Sequence, residues 1–320
     1  MNSDYSIYKL KENDFKILIP LMQDCFGMEV NINYFEWKFK DNPAGFVEGY
    51  YAKHTNGEIA AYYGVIPQSY SIQGHKRIIY QSCDTMTHSN HRRQGLFKKL
   101  ALHCYDSLKN EDKLFVIGFG GGQSTPGFIK FGWKEVFKTR NYFYPVQFKY
   151  LQFLNFKEVD EITDYKKIDT LLTLSNSNAN IHSIKTVDYF KWRVSNPLYN
   201  YKTVATKVGS KEYDSYITYY EYEKKLFVFD FHIDNPISGK NLFNFLKSKL
   251  NSTHKGIITF VQEESVYSNT IKKYGFVANP FKRGPLHETV PFIFYATQEE
   301  MTLLNDSQNW QINSYDHDAL

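Results

Sequence analysis

The residues that could do chemistry lie in one stretch, YQSCDTMTHSNHRRQGLF, at residues 80–97. The pattern predicts a β-strand that ends near His88 and a helix that begins near Gln94. The first turn of a helix presents unpaired N–H groups and the positive end of the helix dipole. Because Arg92 and Arg93 stand beside it, this turn predicts an anion site that would fit a diphosphate. An ordinary turn with solvated arginines accounts for the same residues.

Gly95 is predicted to lie in the first turn of that helix. There the missing side chain would let another molecule approach the backbone. We therefore expect Gly95→Val to block a diphosphate while leaving the helix intact.

Two other patterns carry less information. The run GFGGGQ at 118–123 lacks the Lys-Ser/Thr of a phosphate-binding P-loop, and predicts a flexible wall beside a ligand or a plain loop. His88 and His91 are three residues apart, with no further Cys or carboxylate at metal-ligand spacing, so no metal site is predicted.

A sequence repeat organises the chain. Residues 34–43 read YFEWKFKDNP and residues 189–197 read YFKWRVSNP, while FIKFGW at 128–133 is echoed by IKKYGF at 271–276. Two landmarks in the same order predict two copies of one fold. We expect Trp37 and Trp192 to be core residues, each packing a helix on its own sheet.

The domain boundaries follow from this repeat. The prediction is a first domain at 1–146, a connector at 147–183, and a second domain at 184–320 that ends in a short helix and a polar tail. The order of predicted strands and amphipathic helices gives a mixed α/β (α+β) fold, with a mostly antiparallel sheet and flanking helices in each copy. Helices are expected at 13–26 and 94–108, and a charge-rich helical run at 157–172.

Composition narrows the class of protein. The 320 residues have a net charge of +4, which is too weak and too dispersed to predict a nucleic-acid partner. Three cysteines without paired spacing are typical of a reducing cytosol, and no signal or membrane-spanning pattern is seen. The 26 Tyr and 26 Phe favour a strand-rich fold, although some could line a groove for a sugar.

The segment 92–97 resembles motif A of the GNAT N-acetyltransferase superfamily, whose backbone amides hold the pyrophosphate of coenzyme A. Arg92 and Gly95 match that motif, whereas Phe97 replaces a small residue and must turn toward the core. A strand at 114–120 and the Gly-aromatic ending FIKFGW extend the resemblance over roughly residues 5–145. Phe128 stands where these enzymes often have a catalytic Tyr, and a phenyl ring cannot protonate a departing thiolate.

More narrowly, the chain is similar to tandem-GNAT proteins found among bacterial surface-polysaccharide and amino-sugar genes. These share the Trp-x(3–4)-Asn-Pro element and the run Cys-Asp-Thr-Met-Thr-His, here at 83–88. The resemblance implies a cytoplasmic enzyme that transfers the acetyl group of acetyl-CoA directly to an amino sugar or another small amine. A nucleotide-linked amino sugar is among the acceptors it suggests, with no nucleic-acid or membrane partner. It does not specify the oligomeric state.

The resemblance also implies the site residues. Asp84 and His88 are the candidates for the base that deprotonates the amine, although Asp84 could instead pair with Arg92 or Arg93. The residues expected to hold acetyl-CoA are Cys83, Thr85, Met86, Arg92, Arg93, Gln94, Gly95, Leu96, Phe97 and Phe128. Two rivals stay open: another acyl- or aminoacyltransferase of cell-envelope synthesis, and a non-catalytic module that binds a sugar or lipid.

The second copy is expected to have lost the coenzyme site. Aligning Leu96 with Leu242 places Ser238 opposite Arg92 and Asn241 opposite Gly95. The second turn therefore lacks both the cation and the bare backbone of the first. We expect one coenzyme per chain.

Overall fold

The computed structural model describes residues 4–121, 124–151, 154–175, 179–209, 212–281, 283, 286–297 and 301–318. Its strands are β1 (Tyr5–Lys9), β2 (Glu48–His54), β3 (Ile59–Ile72), β4 (His75–Thr87), β5 (Phe115–Phe119), β6 (Lys134–Pro145), β7 (Asp160–Glu161), β8 (Ile181–Ser183), β9 (Lys202–Thr206), β10 (Ser215–Tyr222), β11 (Lys225–Ile233), β12 (Gly256–Gln262) and β13 (Thr289–Ala296). Its α-helices are α1 (Leu18–Phe26), α2 (Ile32–Phe35), α3 (Leu96–Asn110), α4 (Thr125–Lys130), α5 (Asp169–Leu174), α6 (Val187–Val194), α7 (Pro236–Lys249), α8 (Val266–Lys273) and α9 (Met301–Asn305).

The strands form one continuous sheet in the order β1-β2-β3-β4-β5-β13-β6-β12-β11-β10-β9-β7, with β8 paired to the end of β3. Nearly all neighbours are antiparallel, and the parallel pairs are β4 with β5 and β11 with β12. The predicted fold class, a mixed and mostly antiparallel sheet with flanking helices, is confirmed.

Both halves of the chain show the same local order. In each, an antiparallel pair (β3 and β4, or β10 and β11) leads into a helix (α3 or α7) and then a parallel strand (β5 or β12). The final strands are exchanged: β6 pairs with β12, and β13 pairs with β5. The domain boundaries at 146 and 184 stay a prediction. The first half contributes β6 to the strands of the second half, and the second half contributes β13 to the strands of the first.

The tryptophans of the repeat meet at the centre of the molecule. Trp37 and Trp192 are buried as expected, but they do not pack separately on two sheets. Their rings stack with centroids 5.4 Å apart. The indole Nε1 of Trp37 donates to the backbone oxygen of Trp192 at 2.6 Å, and the reciprocal bond is 2.7 Å long. The two copies of the motif therefore bind each other.

This reciprocal pair gives a test of the interface between the halves. Trp37→Phe and Trp192→Phe should each lower the free energy of unfolding by about 1–3 kcal/mol, because each leaves a buried carbonyl without its donor. Urea unfolding of both single variants and the double variant measures this. We expect the losses to be non-additive, since the residues are in contact. Trp310→Phe, which removes an indole bond to Leu304 instead, is the matched control; simple additivity would contradict the pairing.

Two predicted helices differ from those observed. The segment 13–26 begins as a 3-10 helix at Glu12–Ile17, and the α-helix starts only at Leu18. Pro20 has no N–H to donate to the preceding turn, which explains the change. The run at 157–172 is helical only at its end, because β7 pairs with β9 and Asp164 caps a 3-10 turn at Tyr165–Ile168. Along the described residues, none of the helices has the length and hydropathy needed to cross a bilayer.

Candidate active site

The first half of the sheet opens where β4 and β5 diverge. The two strands are paired only at Tyr80–Val116 and Gln81–Ile117, and beyond these positions they separate. A cavity of about 690 Å³ lies along the opening and reaches the start of α3. It is lined by ten of the twelve predicted site residues: Cys83, Asp84, Thr85, Arg92, Arg93, Gln94, Gly95, Leu96, Phe97 and Phe128.

The other two predicted residues do not line this cavity. Met86 is 1% exposed and belongs to the core. The Nδ1 of His88 accepts a bond from the backbone N–H of Asn90, and its Nε2 lies 3.9 Å from Asp24. The Gly-rich run contributes Gly118, Phe119 and Gly121 to the lining, whereas residues 122 and 123 lie outside the described residues.

The anion turn has the geometry that its sequence predicts, with one difference at Gly95. Helix α3 begins at Leu96, so Gly95 is its N-cap, and no side chain caps the first turn. The initial N–H groups of α3 therefore lack an intrahelical partner and lie beside the cavity. This arrangement fits a diphosphate, because the donors, the helix dipole and two arginines are together.

The role of Gly95 is conformational as well as steric. Its φ of +70° is left-handed, and a Cβ built on it would meet no atom within 4 Å. The expectation that Gly95→Val leaves the helix start undisturbed is therefore wrong, since a β-branched residue is strained at this φ.

A matched pair of alanine variants separates strain from ligand contact. Gly209 has φ +71° and is equally open, but it lies in the second half. Gly95→Ala and Gly209→Ala should each cost about 1–2 kcal/mol of stability. Only Gly95→Ala places a methyl group beside the α3 amides, so only it should weaken coenzyme binding, by roughly 10-fold for one lost charged hydrogen bond. Calorimetric titration with acetyl-CoA is the measurement; equal affinities in the two variants would place the diphosphate elsewhere.

The aromatic residues at the cavity wall are held by packing. Phe97 turns toward the core as expected and meets the ring of Phe128 edge-on, with centroids 4.9 Å apart. Phe128 in turn packs against Trp133 at 4.6 Å. The side chains of Phe97 and Phe128 form an apolar wall of the cavity, and neither has a proton to donate.

The inner end of the cavity holds two carboxylates that share one lysine. Lys38 is fully buried, and its Nζ lies 2.9 Å from Asp84 and 3.0 Å from Asp318. Asp84 also accepts a bond from Tyr34 at 3.4 Å. The sequence suggested Arg92 or Arg93 as the partner of Asp84, but its partners in the described residues are Lys38 and Tyr34. Asp84 lies at a β-bulge of β4, with φ +45°.

The two carboxyls differ in acidity. Burial raises the pKa of Asp84 above its ordinary value, and Lys38 offsets this only in part. Burial also acts to raise the pKa of Asp318, but Lys38, His317 and Arg193 together bring it below its ordinary value.

Asp318 reaches the cavity because both copies of the repeat hold the C-terminal tail. Arg193 follows Trp192 just as Lys38 follows Trp37. The guanidinium of Arg193 donates to the backbone oxygens of Tyr315 at 3.0 Å and His317 at 2.8 Å. Sequence reasoning missed these residues; the basic position shared by the two Trp motifs was the available signal.

The same tail fills the corresponding opening of the second half. There Ser314 Oγ accepts from the backbone N–H of Phe260 at 3.0 Å and donates to its carbonyl at 2.9 Å. The N–H of Gln262 donates to the carbonyl of Ile312 at 3.2 Å. The backbone edge that remains open on β5 is thus occupied on β12 by the chain itself.

Helix α7 begins at Pro236, so Ser238 and Asn241 lie inside the helix, and the alignment that set them opposite Arg92 and Gly95 is wrong. The N-cap of α7 is Asn235, whose side chain accepts from the backbone N–H of Ile237 at 2.8 Å. Ser238 is fully buried, and Asn241 accepts a hydrogen bond from the backbone N–H of Lys157 at 3.3 Å. The capped start of α7 and the tail thus differ from the uncapped, open helix start of the first half, and one coenzyme per chain stays a prediction.

Residues 6–136 match the sequence profile of a family described as an Acetyltransferase (GNAT) domain. Nothing among the curated protein sequences matches the chain.

Several solved structures share the fold over most of the chain. One is a conserved protein of unknown function from Enterococcus faecalis V583, with TM-score 0.71, 10% identity, and coverage of 94% of this chain and 75% of that one. Another is a GCN5-related N-acetyltransferase from Anabaena variabilis, with TM-score 0.65, 10% identity, and coverage of 91% and 72%. A third is the N-myristoyltransferase of Saccharomyces cerevisiae with bound myristoyl-CoA, with TM-score 0.61, 11% identity, and coverage of 92% and 80%.

Proposed function

We propose that this chain transfers the acetyl group of acetyl-CoA to a small amine, because residues 6–136 match the sequence profile of a GNAT acetyltransferase domain. One observation carries the proposal: a single cavity joins an uncapped helix start at one end to a buried carboxylate pair at the other. An amino sugar is one acceptor to be tested, and the cytoplasm is the proposed location of the reaction.

The residues of the cavity have separate tasks in this proposal. The amides at the start of α3, with Arg92 and Arg93, hold the diphosphate. Beyond Gln81, none of the described strands pairs with β4 on the side of β5, so its edge from Ser82 to Thr85 offers backbone groups to the pantetheine arm. When bound, acetyl-CoA supplies an acyl group that is already activated as a thioester, so positioning contributes much of the rate.

Asp84 is the proposed general base. An amine bound as an ammonium must lose a proton before it can attack, and the raised pKa of Asp84 suits it to accept that proton. Lys38 and Tyr34 fix the carboxylate in place. His88 has no contact with this cavity and is not assigned the role. Phe128 cannot donate a proton, so the departing thiolate takes its proton from water or from another group.

Binding stoichiometry tests the proposal. We expect calorimetry to give one acetyl-CoA per chain, and a thermal shift equivalent to about 2.7 kcal/mol at a hundredfold excess over Kd. Myristoyl-CoA in a parallel titration tests the choice of acetyl over a longer acyl group. Two coenzymes per chain, or no shift at millimolar acetyl-CoA, would contradict the one-site reaction proposed.

A further inference from the structure

His91 is a buried residue that lies directly before the anion turn, residues 92–97. It is 5% exposed and ends the 3-10 turn Ser89–His91. Its Nδ1 lies 3.1 Å from the hydroxyl of Tyr5 on β1, and its Nε2 lies 3.2 Å from the carboxylate of Glu58, the residue before β3. The imidazole therefore ties the start of the anion turn to two separate parts of the sheet.

The direction of these two bonds follows from the chemistry of the partners. Hydrogen bonds from Asn56 and His91 lower the pKa of Glu58, so this group is a carboxylate at neutral pH. A carboxylate can only accept, and Nε2 of His91 therefore carries the proton and donates to Glu58. In the uncharged ring, Nδ1 then accepts from the hydroxyl of Tyr5. Both nitrogens are thus engaged in holding the side chain in place.

The anion turn has little of its own to hold its shape. Within the described residues, the backbone N–H groups of residues 92–95 donate to no acceptor of the protein. Arg93 has a φ of +64° and Gly95 one of +70°. The left-handed region is unfavourable for a residue with a Cβ, and such strain persists only where the surrounding structure imposes it. The turn is therefore fixed from its two ends, by α3 on one side and by the anchored turn Ser89–His91 on the other.

We infer that His91 is a positioning residue for the coenzyme. Its bonds to Tyr5 and Glu58 hold the anion turn in the conformation that leaves the backbone donors free before a ligand arrives. A preorganised site binds more tightly, because less of the binding free energy is lost in ordering it. The inference rests on the proposed function. It adds that β1, none of whose residues lines the cavity, contributes to the affinity for the coenzyme.

Removal of one hydroxyl group tests this inference. Tyr5→Phe deletes a hydrogen bond of His91 at a site outside the cavity lining. We expect calorimetric titration to show a Kd for acetyl-CoA that is higher by roughly 5-fold, the net contribution of one hydrogen bond. Tyr8→Phe is the matched control, because Tyr8 lies on the same strand, is 46% exposed and stacks on Tyr51. It should leave the Kd unchanged.

Substitutions of His91 itself separate positioning from folding. His91→Leu removes both bonds and should raise the Kd by roughly 30-fold, whereas His91→Gln keeps an N–H donor for Glu58 and should recover part of that loss. In the His91→Leu background, Tyr5→Phe should have no further effect, since the partner of its hydroxyl is gone. If His91→Leu does not fold, Tyr5→Phe and His91→Gln still give the answer.

The outcomes distinguish this inference from the proposed function. Equal Kd values in the wild type, Tyr5→Phe and His91→Gln, or an equal loss of affinity in Tyr8→Phe, would overturn the positioning role while leaving coenzyme binding intact. Failure of the wild type to bind acetyl-CoA would overturn the proposed function and this inference together.

Discussion

Asp84→Asn is expected to lower kcat by about 10²- to 10⁴-fold, the usual contribution of a general base. The amide keeps the shape of the side chain but cannot accept the ammonium proton. Lys38 still has Asp318 as a partner, so the variant should fold. The affinity for acetyl-CoA should not change, because the diphosphate turn lies at the other end of the cavity.

The pH profile gives this prediction a second readout. In the wild type, kcat should rise with pH as Asp84 loses its proton, at a pH above the ordinary carboxyl value because burial raises this pKa. The variant should lack that limb. Asp230→Asn is the matched control, since Asp230 is a buried β11 carboxylate bound to Lys185 outside the active-site cavity. It should cost stability, not kcat. A larger kcat loss in Asp318→Asn than in Asp84→Asn would make Asp318 the base.

Lys38→Met is expected to lower the free energy of unfolding by about 3–5 kcal/mol, because it leaves buried carboxylates without their counter-ion. Denaturant unfolding at pH 7 measures the loss. Lys40→Met, two residues away, removes only an exposed ion pair with Glu12 and should have no measurable effect.

The pH dependence of the Lys38→Met variant has a definite sign. Without the ammonium, burial raises the pKa of Asp84 and Asp318 above their values in the unfolded chain. The folded state then binds more protons than the unfolded state, so stability falls as pH rises from about 4 toward 7. The difference from the wild type should widen over this range, and a constant difference would contradict the buried-charge explanation.

The sequence predicted those parts of the site that depend on local structure. The residues of the anion turn, 92–97, are contiguous in the sequence. A strand end followed by a helix start is therefore enough to bring Arg92 and Gly95 together. The carboxylate pair is different, because Lys38, Asp84 and Asp318 come from a helical turn, a bulged strand and the tail. Their meeting depends on the exchange of strands and on the bonds from Arg193, for which periodicity gives no signal.

The same reasoning explains why the packing partners of the two tryptophans were predicted wrongly. Burial of Trp37 and Trp192 follows from their type and the aromatic residues around them. Their partners do not, since a repeat predicts two similar environments and cannot show that the two copies face each other. The reciprocal indole bonds are a tertiary feature of both halves together.

The exchanged strands also govern how the polypeptide is made. Because β13 lies between β5 and β6, a nascent chain that has not yet reached residue 289 has an unfilled gap in the middle of its sheet. Exposed strand edges of this kind invite pairing with other chains, and long-range pairing slows folding. Asp318 joins the cavity later still, after the diphosphate turn has left the ribosome. A truncated product of this gene would therefore be an aggregation hazard for the cell and not a smaller working enzyme.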